Sequence, residues 1–306
     1  MSTKRIEGYD TDGRSFRSPA DLWRHDRKMK GGSREDGGWY DHGVKYWENI
    51  PATVDGVLGG FGHVSGIDVK ESKEFAARDD VMGAWLRDAI AGKGRRLAAL
   101  DCGAGVGRVT KECLSDLFHD VDLAEPVAKF VDQAKIELTG HKGRFGGAAR
   151  EFFVTGLEAF TPAPQAYDVI WAQWVLPHLT DSDMIAFFKR CSPGLRPGGF
   201  FVVKENIARD HFVMDNEDSS VTRTDDYFRA LFKRTGLELM ASQQQKEFPD
   251  DLFKVMMYAL RFPVSEAPGA GGDAPMEGAA PEGKPPPQQQ QRPPQKKQRV
   301  RPALID

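Results

Sequence analysis

One stretch of the 306-residue chain reads as a ligand cradle: Asp101-Cys102-Gly103-Ala104-Gly105-Val106-Gly107-Arg108. Glycines at 103, 105 and 107 let backbone approach a ligand closely and adopt positive φ, and a helix starting there offers free N–H groups. A dinucleotide fingerprint would need its last glycine at position 108, where Arg108 stands, and no Gly-Lys-Ser/Thr follows to make a phosphate loop. Asp101 immediately before the turn is joined by a second acid, Glu125, which ends the next β-rich run and can take both hydroxyls of a ribose. Acids without a phosphate grip suit a nucleoside that carries no phosphates. Read alone, the glycines also fit an unrelated tight turn.

Such a cradle needs a strand before it and a helix after it. Short β-rich runs alternate with helical stretches through the middle of the chain, the signature of a parallel sheet with crossover helices. Strands are expected near 97–101 (LAALD), 119–124, 151–155, 167–172 (YDVIWA), 199–204 (FFVVKE), 237–241 and 253–260. Helices are expected near 107–117, 127–138, 181–192 and 223–235, with one over 71–90 and another before it. The fold class that follows is α/β: a Rossmann-like, mostly parallel sheet of about seven strands, with helices on both faces and an N-terminal helical extension.

Composition bounds the rest. Forty-two Lys+Arg against 45 Asp+Glu leave a formal charge of −3, which argues against a protein dominated by nucleic-acid binding. Residues 1–40 are polar, with glycine pairs at 31–32 and 37–38, and read as a loosely ordered extension. Residues 41–262 fit one domain with a full hydrophobic core. From Pro263 onward there is no aromatic residue and 10 of the 19 prolines, so 263–306 is expected to be a disordered tail. Its cations, from Lys284 to Arg301, fit a nuclear-import or anionic-partner segment, or simply a solvated linker. Three widely spaced cysteines, Cys102, Cys113 and Cys191, suit neither a disulfide framework nor a zinc site. With a polar start and no apolar run near ~18 residues, the expectation is an intracellular protein of cytoplasm or nucleus.

Four segments together carry a family resemblance: Tyr46 to Gly60 (YWENIPATVDGVLGG), the DCGAGVGR turn at 101–108, Trp171-Ala172-Gln173-Trp174 continuing to His178-Leu179-Thr180-Asp181, and Asp218-Ser219-Ser220-Val221. In order and spacing they are similar to the α-N-terminal protein methyltransferases, within the class I S-adenosylmethionine-dependent methyltransferases. That family methylates the free amino terminus of proteins beginning X-Pro-Lys once the initiator Met is removed. The resemblance runs from Tyr40 to Arg261 and leaves both tails uncovered.

The resemblance implies S-adenosyl-L-methionine as cofactor, S-adenosyl-L-homocysteine as product, no metal, and protein partners with free X-Pro-Lys termini. It implies no nucleic-acid or membrane contact; the oligomeric state stays open, with a monomer as the expectation. Gly103, Arg108, Glu125, Leu157, Glu158 and Gln173 would hold the cofactor, Arg108 at the methionyl carboxylate and Leu157 and Glu158 near the adenine. The nucleophile must be a neutral amine, whereas a terminal α-amine has a pKa of about 7.7–8.0 and must first lose a proton. By resemblance His178 and Asp218 accept that proton, and Asn206 orients the amine. Trp174 would face the substrate proline, and Asp215 with Ser220 the lysine ammonium. Leu58, Gly59 and Val64 would cover the terminus, with Trp47 beside the cofactor. Phe253 stands where the family has Tyr, which removes one hydroxyl.

Without the resemblance, His178 also fits a packing role at a crossover, Asp218 a helix N-cap, Asn206 a turn and Trp174 the core. The acids of 215–218 then fit a solvated loop. Two other functions stay open: a small-molecule or side-chain methyltransferase sharing the cofactor half, and a non-catalytic adaptor that binds protein termini. The acidic loop with Trp174 speaks against the first, and the trio His178, Asn206 and Asp218 against the second.

Overall fold

A computed structural model of the chain describes residues 6–29, 38–249 and 252–263. The expected tail lies outside these residues except for Pro263. In chain order the first elements are β1 (Gly8–Asp10), β2 (Ser15–Phe16), α1 (Pro19–Met29), α2 (Gly38–Asn49), α3 (Val54–Val57), α4 (Ser65–Ala76) and α5 (Gly83–Ile90). Next come β3 (Ala98–Cys102), a π-turn at Thr110–Leu114 running into α6 (Ser115–Leu117), β4 (Asp120–Glu125), α7 (Ala128–Leu138), β5 (Ala148–Val154) and β6 (Tyr167–Gln173). The last are α8 (Asp181–Cys191), β7 (Leu195–Ile207), β8 (Phe212–Asp215), β9 (Ser220–Thr222), α9 (Asp225–Thr235), β10 (Glu238–Gln244) and β11 (Lys254–Arg261).

Seven strands form one sheet in the order β10-β11-β7-β6-β3-β4-β5, and every expected strand is among them. Only β11 runs against its neighbours. β3 and β6 are buried at every position, as strands covered on both faces must be. Alternate residues feed two core layers. Leu100, Ile170 and Phe201 enter one, and Ala99, Val169 and Val202 the other. Each large apolar side chain so buried contributes about 1.5–3 kcal/mol. Thr180 and Thr224 accept from Asp183 N–H and Tyr227 N–H and cap α8 and α9, at about 1 kcal/mol each.

From β3 the chain works outward through β4 to β5, then returns to place β6 on the other side of β3. Sheets of this kind open a crevice at that reversal, beyond the carboxyl ends of the strands. The glycine turn after β3 and Trp174 after β6 therefore stand at its two walls.

Two expectations are corrected. Residues 6–29 are not a loose extension: β1 and β2 form a hairpin, α1 follows, and Phe16 and Leu22 enter the core. Asp10 makes this hairpin by accepting from Asp12 N–H and Arg14 N–H, with Gly13 at φ +85°. β1 pairs in parallel with β8, which pairs antiparallel with β9, so a small second sheet runs β2-β1-β8-β9. The expected helix over 71–90 is two helices, α4 and α5, because the chain turns at Arg78. Its guanidinium grips Asp80 and its carbonyl accepts Gly83 N–H.

Candidate active site

Two adjoining cavities lie in the crevice and share Trp47, Val57, Trp174 and His178 as walls. The narrower one begins where β3 ends. Gly103 adopts φ +66°, and its N–H and that of Ala104 both donate to the Ala124 carbonyl. A Cβ at Gly103 would stand 2.4 Å from Val175 Cγ2, so no side chain fits there. Glu125, at the end of β4, accepts Gly105 N–H at 3.0 Å and Val127 N–H at 2.9 Å. A carboxylate has room for about four hydrogen bonds, which leaves capacity for a diol. Burial pushes Glu125 up to about 7. Leu157, Glu158, Val127 and Phe130 complete an apolar slot with one acidic end. The same turn positions Asp101, whose carboxylate takes the Thr110 hydroxyl at 2.6 Å from the π-turn; burial raises it to about 6. This donor set fits an adenosine.

Arg108 and Gln173 are both engaged by a neighbouring acid. Both converge on Asp68 of α4, which is 1% exposed: Arg108 at 2.8 Å and Gln173 Nε2 at 2.9 Å to each oxygen. Lys204, fully buried, joins the same carboxylate and bonds Ser72. Neither Arg108 nor Gln173 lines either of these two cavities. A buried cation without a partner costs several kcal/mol, so the acid of α4 pairs with Arg108 and Lys204 and accepts the Gln173 amide besides. Arg108 instead sits under the Trp174 ring, 5.4 Å from its centroid, and supports that wall from behind.

The wider cavity is built from elements that are far apart in sequence. Trp174 leaves β6 at φ +53°, anchored by its N–H on the Lys204 carbonyl, and its indole Nε1 is buried without a partner. Asn206 is a member of β7, opposite Val255, rather than a turn residue, and it faces this cavity. Leu58, Gly59, Val64, Trp47 and Phe253 also line it. Beside Asn206, Glu205 is fully buried. Its Oε1 accepts Val175 N–H at 3.0 Å and Leu176 N–H at 2.9 Å, while its Oε2 has no partner. Burial pushes Glu205 up to about 8.

Asp218 lies in the turn of the β8–β9 hairpin, so it caps no helix. Its Oδ1 is buried and unpartnered, and burial holds its carboxyl above the ordinary range despite the neighbouring His178. The same turn places Ser219 at φ +55°, and its carbonyl lies 3.3 Å from His178 Nδ1. A carbonyl can only accept, so the proton sits on Nδ1 and Nε2 carries the lone pair. Burial lowers the His178 pKa, which keeps the ring neutral. Asp215 and Ser220 face each other across the hairpin, yet Ser220 alone reaches the cavity. Asp215 Oδ1 accepts Glu217 N–H at 2.8 Å, and its charge acts at longer range on Tyr46, His178 and Asp218.

Sequence reasoning passed over Glu205, although an acid closing the apolar run FFVV is itself a signal. It also passed over Phe61, Phe248 and Leu252, which rim the wider cavity and carry no local motif.

Comparisons agree with this architecture. An α-N-terminal protein methyltransferase 1 of Arabidopsis thaliana is 46% identical over 258 residues, covering 83% of this chain and 91% of the relative. The N-terminal Xaa-Pro-Lys N-methyltransferase 1 of Xenopus tropicalis is 45% identical over 223 residues, 73% of this chain and 95% of the relative. A solved SAM-dependent methyltransferase of Leishmania major superposes with a TM-score of 0.74 at 38% identity, covering 85% of this chain and 97% of that one. Residues 35–261 match the family described as AdoMet dependent proline di-methyltransferase, and the chain belongs to that family of class I, S-adenosylmethionine-dependent methyltransferases.

Proposed function

We propose that the protein methylates the free α-amino group of protein chains beginning X-Pro-Lys, with Asp218 and His178 as proton acceptors. One observation carries this reading: three buried polar atoms without partners, Trp174 Nε1, Asp218 Oδ1 and Glu205 Oε2, belong to residues of the wider cavity. Burying an unpaired polar group costs about 1–3 kcal/mol, a cost that a ligand with its own donors and acceptors removes. An indole donor, the Asp218 acceptor and a Glu205 carboxyl that keeps its proton near neutral pH match a peptide terminus, which offers a carbonyl and an amine.

Bound in the narrower cavity, S-adenosylmethionine supplies an electrophilic methyl on a sulfonium. Gly103 and Gly105 would let the backbone close on it, Glu125 would take the ribose hydroxyls, and Leu157 and Glu158 would hold the adenine. In the wider cavity, Trp174 presents its ring to the substrate proline and Nε1–H to a backbone carbonyl. Asn206 accepts an amine hydrogen and orients the nitrogen. His178 is held neutral with its Nε2 lone pair free, and Asp218 has a raised affinity for protons, so both can take the amine's proton near neutral pH. Asp215 and Ser220 receive the lysine ammonium, the carboxylate acting chiefly through its field. Leu58, Gly59 and Val64 close over the terminus, and Trp47 separates it from the cofactor.

The test uses a peptide beginning Ser-Pro-Lys beside its N-acetylated twin, read by mass spectrometry, with wild type and Asp218→Asn. Wild type should methylate the free amine alone. Asp218→Asn should lower kcat by about 10²–10⁴-fold with S-adenosylhomocysteine affinity unchanged. Methylation of both peptides, or an equal loss of turnover and cofactor affinity, would reject the assignment.

A further inference from the structure

Residues 6–16 stand outside the region matched to the family, yet they reach the acceptor side of the site. The β8–β9 hairpin that carries Asp215, Asp218 and Ser220 has strands of four and three residues, too little to hold its own shape in water. β1 supplies the missing neighbour: Gly8, Tyr9 and Asp10 pair with Phe212, Val213 and Met214, and Phe212 N–H donates to the Glu7 carbonyl. The approach is close. A Cβ on Gly8 would fall 2.3 Å from the Phe212 ring and 2.4 Å from the Phe212 carbonyl oxygen.

Beyond the paired strands, the β1–β2 loop grips the acidic turn itself. Thr11 N–H donates to the Met214 carbonyl at 3.0 Å. Asn216 N–H donates to Thr11 Oγ1 at 3.1 Å, and Asn216 Nδ2 to Asp12 Oδ2 at 2.8 Å. On the far side, α2 holds the end of the same turn, with His42 Nδ1 at 3.0 Å from Ser219 Oγ and Gly43 packed beneath the Asp218 carbonyl. Glu217 and Asp218 are thus strung between two clamps, one at Asn216 and one at Ser219, with Asp215 just before the first.

We propose that Thr11 and Asp12 are positioning residues for acceptor specificity: they fix the acidic turn so that its carboxylates meet the third residue of the substrate. This rests on the acceptor reading above. Releasing one clamp lets the turn move while leaving the parallel sheet, and with it the cofactor cavity, as they are. Neither residue lines either of the two cavities, and Asp218 keeps its hold on α2 through the neighbouring Ser219, so the segment acts more on recognition than on chemistry.

The full-length Thr11→Val/Asp12→Ala double variant tests this, with Ser-Pro-Lys and Ser-Pro-Gln peptides, S-adenosylhomocysteine titration and amide hydrogen exchange. Losing two hydrogen bonds should raise KM for the lysine peptide about 3- to 10-fold and narrow the Lys-over-Gln preference by a similar factor. The value of kcat should fall by less than KM rises, cofactor affinity should stay within about twofold, and exchange should quicken at 216–218. Asn216→Ala added to the double variant should bring no further loss, since all three belong to one contact. An unchanged KM and preference would overturn the proposal, as would a parallel fall of KM performance, kcat and cofactor affinity. A wild type that methylates neither peptide would overturn the acceptor reading and this specificity role with it. Quickened exchange at 216–218 would still mark the clamp as real, separating that failure from failure of the brace.

Discussion

The glycine turn after β3 grows out of strands buried at every position, whereas the acidic turn after β8 hangs between α2 and the N-terminal segment. The first has no latitude. Its backbone bonds run to β4, and Val175 fills the space where a side chain at Gly103 would go. The second is assembled from short strands and side-chain bonds, several of them exposed. A methyl donor is the same molecule in every turnover, while acceptor chains differ beyond their first residues. Rigid support beneath the donor and adjustable support beneath the acceptor follow from that difference.

The sharpest way to break the comparison is to place the same methyl group on each side. Gly103→Ala forces a non-glycine residue into positive φ, at about 1–2 kcal/mol, and overpacks against Val175, at about 1–3 kcal/mol. Thermal unfolding should drop by several degrees, with cofactor binding severely weakened. Gly59, at φ +60° in the lining of the wider cavity, has nothing within 4 Å of the point a Cβ would occupy, so Gly59→Ala should cost the backbone strain alone and leave cofactor affinity intact. Calorimetry with S-adenosylhomocysteine on both variants decides it. Equal losses on the two sides would mean that this lining is as constrained as the cradle.

A smaller effect separates the two regions by pH. Glu205 bridges them, since it holds the Trp174–His178 segment through Val175 and Leu176 while standing at the acceptor cavity. Its folded pKa is raised to about 8 from an ordinary 4.5, so the folded protein keeps a proton that the unfolded chain releases. That contribution to stability is complete below about 4.5 and is lost as pH rises through about 8. Glu205→Gln keeps an oxygen for both N–H groups and removes the titration. Its melting temperature relative to wild type should therefore climb between pH 6 and 9, by the equivalent of about 1–3 kcal/mol. A flat difference curve would show that Glu205 is not held protonated.

The same contrast governs what the sequence discloses. LAALD and YDVIWA coincide with β3 and β6 to within a residue, because strands covered on both faces are written as unbroken apolar runs. β1, β2, β8 and β9 have two to four residues each, and β1 meets its partner only through Phe212 to Met214, far along the chain. Asp12-Gly13 is their one local signal. Gly103 and Glu125 are placed by the same pattern, at or just beyond strand ends, whereas Leu157 and Glu158 are named through the family resemblance alone. The bonds of Arg108 and Gln173 to Asp68 are not legible in this way. Spacing fixes where a side chain leaves the backbone, but Asp68, 40 residues before Arg108, decides where it points. Asp215 and Ser220 are legible as a cross-strand pair, though the Glu217 amide turns the Asp215 oxygen toward its own loop.

The finest test of the comparison lies at the rim of the acceptor cavity. Phe253 is 47% exposed at the start of the last strand's approach and lines the cavity together with Leu252 and Phe248. Related chains are expected to carry Tyr here, and a hydroxyl at the ring's para position would add one hydrogen bond to the substrate backbone. The ring itself stays in place, and water already reaches it, so no core packing changes. Phe253→Tyr should lower KM for the Ser-Pro-Lys peptide by about 2- to 10-fold, the worth of one neutral hydrogen bond, with kcat, melting temperature and cofactor affinity as in wild type. The acceptor side would then behave as an adjustable surface, where affinity can be added without disturbing the donor side. A change in cofactor affinity of similar size would show instead that the two cavities are coupled through the shared walls of Trp47, Trp174 and His178.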